Sequence, residues 1–111
     1  MIRASPFEIH TELKGDEARL TLVGELDIAT VQRLEEAVEK VLSQGARTVI
    51  VDLSPLAFMD SSGLRMIITL NERAGVAGWT LALVKPPEAS FSVFEITGSD
   101  ENLPFIEGPS P

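Results

Sequence analysis

Alternating apolar and polar positions at the start of the chain predict two strands. Phe7, Ile9 and Leu13 alternate with polar side chains, and the same period of two returns around Leu20 and Leu22. A period of two is typical of a strand with one exposed face. The turn signal Lys-Gly-Asp separates the two stretches, so we predict an antiparallel hairpin.

The spacing of apolar residues then changes from two to between three and four. Within residues 31–42 the apolar side chains fall on one helical face, and Gly45 is placed to end that helix. The start of the helix stays ambiguous between Asp27 and Thr30, because both are capping types. Residues 49–51 are continuously apolar, which predicts a strand covered on both faces.

Two more helices and two more strands complete the pattern. They are a helix from about Leu64 that ends at the glycines Gly75 and Gly78, a strand over 79–84, a short helix around Phe91 and Phe94, and a possible short strand over 103–106. The order ββαβαβαβ predicts an α/β fold with a mixed sheet of about five strands. In this fold the N-terminal hairpin is followed by βαβ crossovers, and helices pack on the sheet. We predict a single domain over residues 1–111, with a disordered tail over 108–111.

The composition argues against several classes of function. Nine basic and 17 acidic residues give a net charge of −8, which disfavours binding to nucleic acid or to an anionic membrane. The sequence has no cysteine and a single histidine, His10, so no metal site is predicted. No apolar stretch matches a signal peptide or a membrane span, and we expect a cytoplasmic protein.

No constellation of catalytic residues stands out, and we predict that the chain is not an enzyme. A Ser-His-Asp triad would need His10, which the alternation places on the exposed face of the first strand. Asp52 ends a strand and Lys85 follows a later one, as in a phospho-accepting receiver domain. The acidic pair that holds Mg²⁺ in such a domain is missing after the first strand. We therefore interpret Asp52 as a strand-end residue that hydrogen-bonds nearby backbone.

The segment FMDSSGL, residues 58–64, separates the apolar strand from the second helix. Ser61 or Ser62 is suited to be the helix N-cap, which explains one serine but not both. Gly63 weakens the first helical turn by about 0.5–1 kcal/mol relative to alanine, so its presence suggests a close approach to the backbone. A phosphoryl group on one serine would meet the free N–H groups and positive dipole end of the helix, although Asp60 would repel it.

The run VIVDLSPLAFMDSSGL resembles the signature of STAS domains, specifically those of bacterial anti-sigma factor antagonists. The segments LVGELDIATVQRLEEAV and KPPEASFSVFEITGSDENLPFI resemble the family's acidic turn with its first helix, and its phenylalanine-rich helix with the last strand. The resemblance implies that Ser61 is phosphorylated by an anti-sigma factor that is also a serine kinase. The unphosphorylated protein would bind this kinase and free a sigma factor. Phosphorylation would end the binding, and a metal-dependent serine phosphatase would restore it.

The same resemblance implies roles for the residues around Ser61. Asp60 would orient Ser61, while Ser62 and Gly63 would shape the turn and let the kinase approach. The residues implied at the partner-binding surface are Asp60, Ser62, Gly63, Met59, Leu64, Glu25 and Asp27. From their own chemistry, Met59 and Leu64 fit the core equally well. No cofactor is predicted, and nucleotide binding near the acidic turn stays open.

An alternative within the family is a constitutive scaffold or accessory module, as in stressosomes or lipid-transport systems, with Ser61 only a helix cap. The family usually carries a further helix after the last strand, to which no segment of this sequence corresponds. We expect apolar surface to be exposed in its place, and the protein to be a monomer or a weak oligomer.

Overall fold

Helices and strands alternate along the chain after an initial hairpin. The computed structural model describes residues 7–98 and 101–106. The elements are β1 (Glu8–Lys14), β2 (Glu17–Leu26), α1 (Val31–Ser43), β3 (Thr48–Asp52), β4 (Leu56–Met59), α2 (Ser61–Ala77), β5 (Thr80–Val84), α3 (Glu88–Thr97) and β6 (Phe105–Ile106). The tail predicted over 108–111 lies outside the described residues.

The strands form one mixed sheet in the order β1-β2-β3-β5-β6, with β4 paired to β2. Strands β1 and β2 are antiparallel, in register from Glu8 opposite Val23 to Lys14 opposite Glu17. The other pairs are parallel, as crossovers through α1, α2 and α3 require. The predicted α/β fold, with its hairpin and its crossovers, is confirmed, but the sheet has six strands where about five were predicted.

The extra strand is β4, which sequence analysis missed. Strand β2 is 10 residues long and β3 only 5, so β3 pairs with no more than the first half of β2. The chain turns at Ser54 and Pro55, and β4 then pairs with the end of β2, after a register shift between Gly24 and Glu25. A strand of 4 residues with both central side chains exposed has no alternation from which it could be recognised.

The helices cover one face of the sheet. Ala18 lies opposite Val49 and Leu20 opposite Val51, and all four side chains are buried. Ile50 points to the other face and is half-buried. The prediction that residues 49–51 are covered on both faces is therefore wrong, because the second face is only partly shielded.

Three phenylalanines position the short last strand. The ring of Phe105 meets the rings of Phe91 and Phe94 edge to face, with centroids 5.4 and 5.2 Å apart. Near this cluster Ile96 is 84% exposed and Ile106 is 43% exposed. Apolar side chains are thus exposed on α3 and on the last strand.

Helix α2 continues through Gly75 and ends at Gly78. Gly78 is the C-cap in the left-handed conformation, with φ 85°, and its N–H donates to the carbonyl of Ala74. The prediction that both glycines end the helix is therefore correct only for Gly78. Within residues 7–98 and 101–106, no helix has the length and apolar character needed to cross a bilayer.

Asp52 lies at the end of β3 on the partly covered face of the sheet. One carboxylate oxygen accepts hydrogen bonds from the N–H of Ser54 at 2.9 Å and from its hydroxyl at 2.7 Å. The other accepts from the Arg19 guanidinium at 2.9 Å. Burial by itself raises the pKa of Asp52, but the hydrogen bonds from Ser54 and Arg19 outweigh it and hold the pKa below its ordinary value. The interpretation of Asp52 as a strand-end residue bonded to nearby backbone is confirmed.

The lowered pKa of Asp52 predicts a pH-dependent contribution to stability. Because the folded protein holds the carboxylate ionised, this contribution is present above the unfolded-state pKa, about 3.9, and is lost as pH falls through the lower folded-state pKa. We expect the free energy of unfolding of wild type to exceed that of Asp52→Asn at pH 7, and the gap to shrink below about pH 4. Urea unfolding of both proteins between pH 7 and pH 3 measures the gap. A gap that stays constant over this range would contradict the prediction.

Candidate functional site at the start of helix α2

The start of α2 is positioned by the pairing of β4 with β2. Glu25 lies opposite Phe58 and Leu26 opposite Met59 in this pair. The N–H of the next residue, Asp60, donates to the carbonyl of Leu26 at 3.3 Å. The first turn of α2 therefore stands directly at the end of β2.

Asp60 is the N-cap of α2. Its backbone is extended, with φ −112° and ψ −169°, and its carboxylate accepts from the N–H groups of Ser62 at 2.8 Å and Gly63 at 3.3 Å. Its carbonyl accepts from the N–H of Leu64 at 3.2 Å. The prediction that Ser61 or Ser62 caps the helix is wrong, since both already belong to α2 and aspartate is an equally good cap.

Ser61 is exposed at the first position of α2. Within the described part of the chain its hydroxyl has no hydrogen-bond partner, so the fold makes no use of it. The carboxylate of Asp60 already occupies two of the first N–H groups of the helix. The expectation that free N–H groups await a phosphate on Ser61 therefore needs correction, because the cap takes them first.

Side chains and backbone of the protein's own interior lie close to the backbone of Gly63. A Cβ atom on Gly63 would lie 2.6 Å from Cγ of Met59, and 3.1 Å from both Cδ2 and the carbonyl oxygen of Leu26. Met59 is 2% exposed and Leu64 is 6% exposed. In this conformation Gly63, Met59 and Leu64 are buried beneath the turn, and none of them offers an exposed side chain at this surface.

The acidic turn between β2 and α1 lies next to the same site. Glu25 and Asp27 are half-buried, and Leu26 between them accepts the Asp60 N–H. The carboxylate of Asp27 accepts from the N–H of Ala29 at 3.0 Å, and its carbonyl from the N–H of Thr30 at 3.0 Å.

The same turn settles the start of α1. Thr30 is the formal N-cap but makes no capping hydrogen bond with its side chain. Its hydroxyl instead donates to the carbonyl of Glu25 at 2.8 Å, and the Asp27 carbonyl accepts from the N–H of Val31 at 2.9 Å. Asp27 and Thr30 therefore share the entry to α1, which is why the sequence left its start ambiguous.

Two exposed apolar residues lie on the segments that adjoin the site, and sequence analysis missed both. Ile28, in the acidic turn, is 77% exposed, and Phe58, on β4, is 48% exposed. The only sequence signal for Ile28 is an apolar residue inside a turn, and Phe58 depends on the unpredicted strand β4. We call Ile28, Phe58 and Ser61 the switch surface.

The other candidates do not join the switch surface. His10 is exposed on β1, where its Nε2 lies 3.0 Å from the Glu8 carboxylate. His10 therefore does not act as a base toward Ser61. Among residues 7–98 and 101–106, no group of three or more acidic or histidine side chains could hold a metal ion.

Comparison with known proteins gives matches over most of the chain. A family model described as "Mlab, STAS domain" matches residues 9–107. The anti-sigma-B factor antagonist of Staphylococcus aureus is 31% identical over 85 residues, which are 77% of this chain and 79% of that protein. The anti-sigma-F factor antagonist RsfB of Mycobacterium tuberculosis is 34% identical over 58 residues, 52% of this chain. That match spans 48%, about half, of the length of RsfB.

Solved structures with the same fold include an anti-sigma factor antagonist from Mycobacterium paratuberculosis. It has a TM-score of 0.79 and 24% identity, over 95% of this chain and 87% of that one. The Bacillus cell fate determinant SpoIIAA in its phosphorylated form has a TM-score of 0.70 and 21% identity, over 95% and 93% of the two chains. At these identities the likeness shows the fold alone.

Proposed function

The chain belongs to the STAS domain family, and on this premise we propose that it is an anti-sigma factor antagonist controlled by phosphorylation of Ser61. The observation that carries the proposal is the exposed Ser61 hydroxyl, which has no protein partner in the described residues although it starts a well-capped helix. Asp60 does the capping, so Ser61 is free for modification without loss of the fold. Relatives named as anti-sigma factor antagonists support the same role.

In the proposed cycle the unphosphorylated protein binds an anti-sigma factor that is a serine kinase, and a sigma factor is released. The kinase then transfers the γ-phosphoryl group of ATP to Oγ of Ser61. The new O–P bond replaces the bond to ADP, and the serine proton passes to a base of the kinase. A metal-dependent serine phosphatase hydrolyses the phosphoserine and restores binding. The protein is a substrate in this cycle, meets its partners in the cytoplasm, and needs no catalytic residue of its own.

The switch surface explains why phosphorylation would end the binding. Ile28 and Phe58 provide exposed apolar area for a partner to cover. A phosphoryl group adds about 1.5–2 negative charges at Ser61, next to Asp60 and close to the acidic turn. A partner that covers the apolar residues would have to remove water from this charge, which is costly without a paired cation.

The alternative, a constitutive scaffold or accessory module, is less well supported. It gives Ser61 only the role of a helix cap, and Asp60 fills that role. It also leaves the exposed Ile28 and Phe58 without a switch to regulate them.

Phosphate mapping tests the proposal. We expect protein purified from its own cells, and protein incubated with the host's candidate anti-sigma kinase and ATP, to carry phosphate on Ser61 by mass spectrometry. Ser61→Ala should abolish this phosphate. Ser62→Ala is the matched control, because it removes the adjacent, half-buried hydroxyl, and it should leave phosphorylation at Ser61 intact. Absence of phosphate from Ser61 in both experiments would overturn the proposed switch.

A further inference from the structure

A phosphoryl group on Ser61 meets a helix start at which three of the first N–H groups are already engaged. The N–H groups of Ser62 and Gly63 donate to the carboxylate of Asp60, and that of Leu64 donates to the Asp60 carbonyl. The nearest charged side chain in sequence, Asp60, repels a phosphate. Phosphorylation would therefore place about two negative charges beside a third one. A cation within reach would offset this repulsion.

Arg65 is such a cation. It lies four residues after Ser61 on α2, and positions i and i+4 of a helix are neighbours, with Cβ atoms about 5–6 Å apart. Both residues are exposed and line one shallow groove, together with Ile68 and Thr97. In the structure as described over 7–98 and 101–106, Arg65 has no ion pair.

The other cations of the described residues are engaged or lie elsewhere. Arg19 pairs with Asp52 and Arg73 with Glu35, Arg33 donates to the Phe7 carbonyl at 2.9 Å, and the Lys85 ammonium lies over the Phe91 ring at 4.9 Å. The remaining three are Lys14 at the hairpin turn, Lys40 in the last turn of α1, and Arg47 just before β3. Arg47 lies just before the start of β3, whereas the chain runs from the other end of β3 through β4 to Ser61.

We propose that Arg65 is the intramolecular counter-ion of the phosphoryl group on Ser61. The proposal rests on the proposed function in that it assumes Ser61 is the modified residue. The guanidinium donates N–H hydrogen bonds to two phosphoryl oxygens, in the bidentate geometry that arginine favours. It draws the phosphate along α2 toward α3, away from the acidic turn.

The pairing changes what a partner meets after phosphorylation. Asp60 and the phosphate carry about three negative charges together, and Arg65 compensates one of them. Glu72 lines the same groove, seven residues after Arg65, while Glu25 and Asp27 belong to the acidic turn, where the Leu26 carbonyl accepts from the Asp60 N–H. Arg65 thus makes the phosphorylated state tolerable to the fold, while the switch surface still presents a net negative charge.

The test measures the second pKa of the phosphate directly. Phosphoserine is placed at position 61 during translation, by amber suppression, and ³¹P NMR follows its titration in the full chain. We expect Arg65 to lower this second pKa, against the acidic side chains nearby that raise it. Arg65→Gln should raise it by about 0.3–0.7 unit. Arg65→Lys should restore part of the shift, since lysine keeps the charge but not the fork geometry.

Arg47→Gln is the matched control, because it removes the same charge from an exposed position at the other end of the sheet. It should leave the phosphate pKa within about 0.1 unit of wild type, since exposed charges beyond about 8–10 Å are screened. Equal pKa values in wild type and Arg65→Gln would overturn the proposal. If Arg65→Gln fails to fold, titration of the wild-type protein at 50 mM and 500 mM salt decides: the pKa must fall less with added salt than that of a phosphoserine peptide, because screening weakens the attraction of Arg65. No kinase is needed, so failure here is distinct from failure of phosphate mapping on Ser61.

Discussion

Replacing Gly63 by alanine should lower the free energy of unfolding by about 1–3 kcal/mol, because the new methyl group overpacks the turn beneath Ser61. Its Cβ would lie 2.6 Å from Cγ of Met59, a contact that real Cβ atoms do not make. Met59 is almost fully buried, and the second contact, at 3.1 Å, is to the carbonyl oxygen of Leu26 on β2. The Leu26 carbonyl belongs to the backbone of β2 and accepts from the Asp60 N–H, and the Met59 side chain is packed in the core, so relief of either contact is costly. Urea unfolding at pH 7 measures the loss.

The same helix provides the control. Gly75 lies within α2, is exposed, and has no atom within 4 Å of the position its Cβ would take. Gly75→Ala should therefore raise the free energy of unfolding by about 0.5–1 kcal/mol, the usual helix preference for alanine over glycine. Opposite signs for the two substitutions would show that packing, and not helix propensity, selects glycine at position 63. A Gly63→Ala protein as stable as wild type would contradict the close approach.

Ser61→Asp should weaken binding to the host's anti-sigma kinase by about 30-fold or more, about 2 kcal/mol, while Ser61→Ala should bind within about twofold of wild type. The serine side chain is exposed and has no role in the fold, so alanine removes little. Aspartate adds a charge at an exposed position next to Asp60, and in the proposed complex the partner covers this position together with Ile28 and Phe58. Isothermal titration calorimetry with the purified kinase domain measures both variants.

A control for net charge is needed, because the chain already carries −8. Thr11→Asp adds the same charge at an exposed position of β1, and it should change the affinity less than threefold. If Ser61→Asp bound the kinase as tightly as wild type, the charge mechanism of the switch would be wrong. If Thr11→Asp weakened binding equally, the effect would be long-range repulsion and not local exclusion at Ser61.

Apart from β4, the order of elements followed from the sequence, because the signals for the other elements are local. A period of two predicts β1 and β2, and helical spacing predicts α1 and α2, since each element must bury one face. Glycine and proline mark most of the boundaries. The position of Ser61 at the start of α2 also followed, because the segment FMDSSGL changes from strand to helix within a few residues.

The details of the site depend on contacts between residues distant in sequence. Strand β4 exists because β2 extends beyond β3 and needs a partner, a fact about relative lengths that no local pattern carries. The same pairing brings Leu26 against Gly63, so the requirement for glycine at this position comes from packing against another strand.

The N-cap of α2 shows most clearly what the local sequence and the tertiary contacts each contribute. Asp60, Ser61 and Ser62 are all of residue types that cap helices well, and the local pattern led us to predict Ser61 or Ser62 as the cap. The tertiary structure chose Asp60, because the bond from its N–H to the carbonyl of Leu26 holds that residue extended at the end of β2. Ser61 is left exposed with a hydroxyl that the fold does not use. The sequence placed the serine at the helix start, and the packing of β4 against β2 decided that it was not needed as a cap.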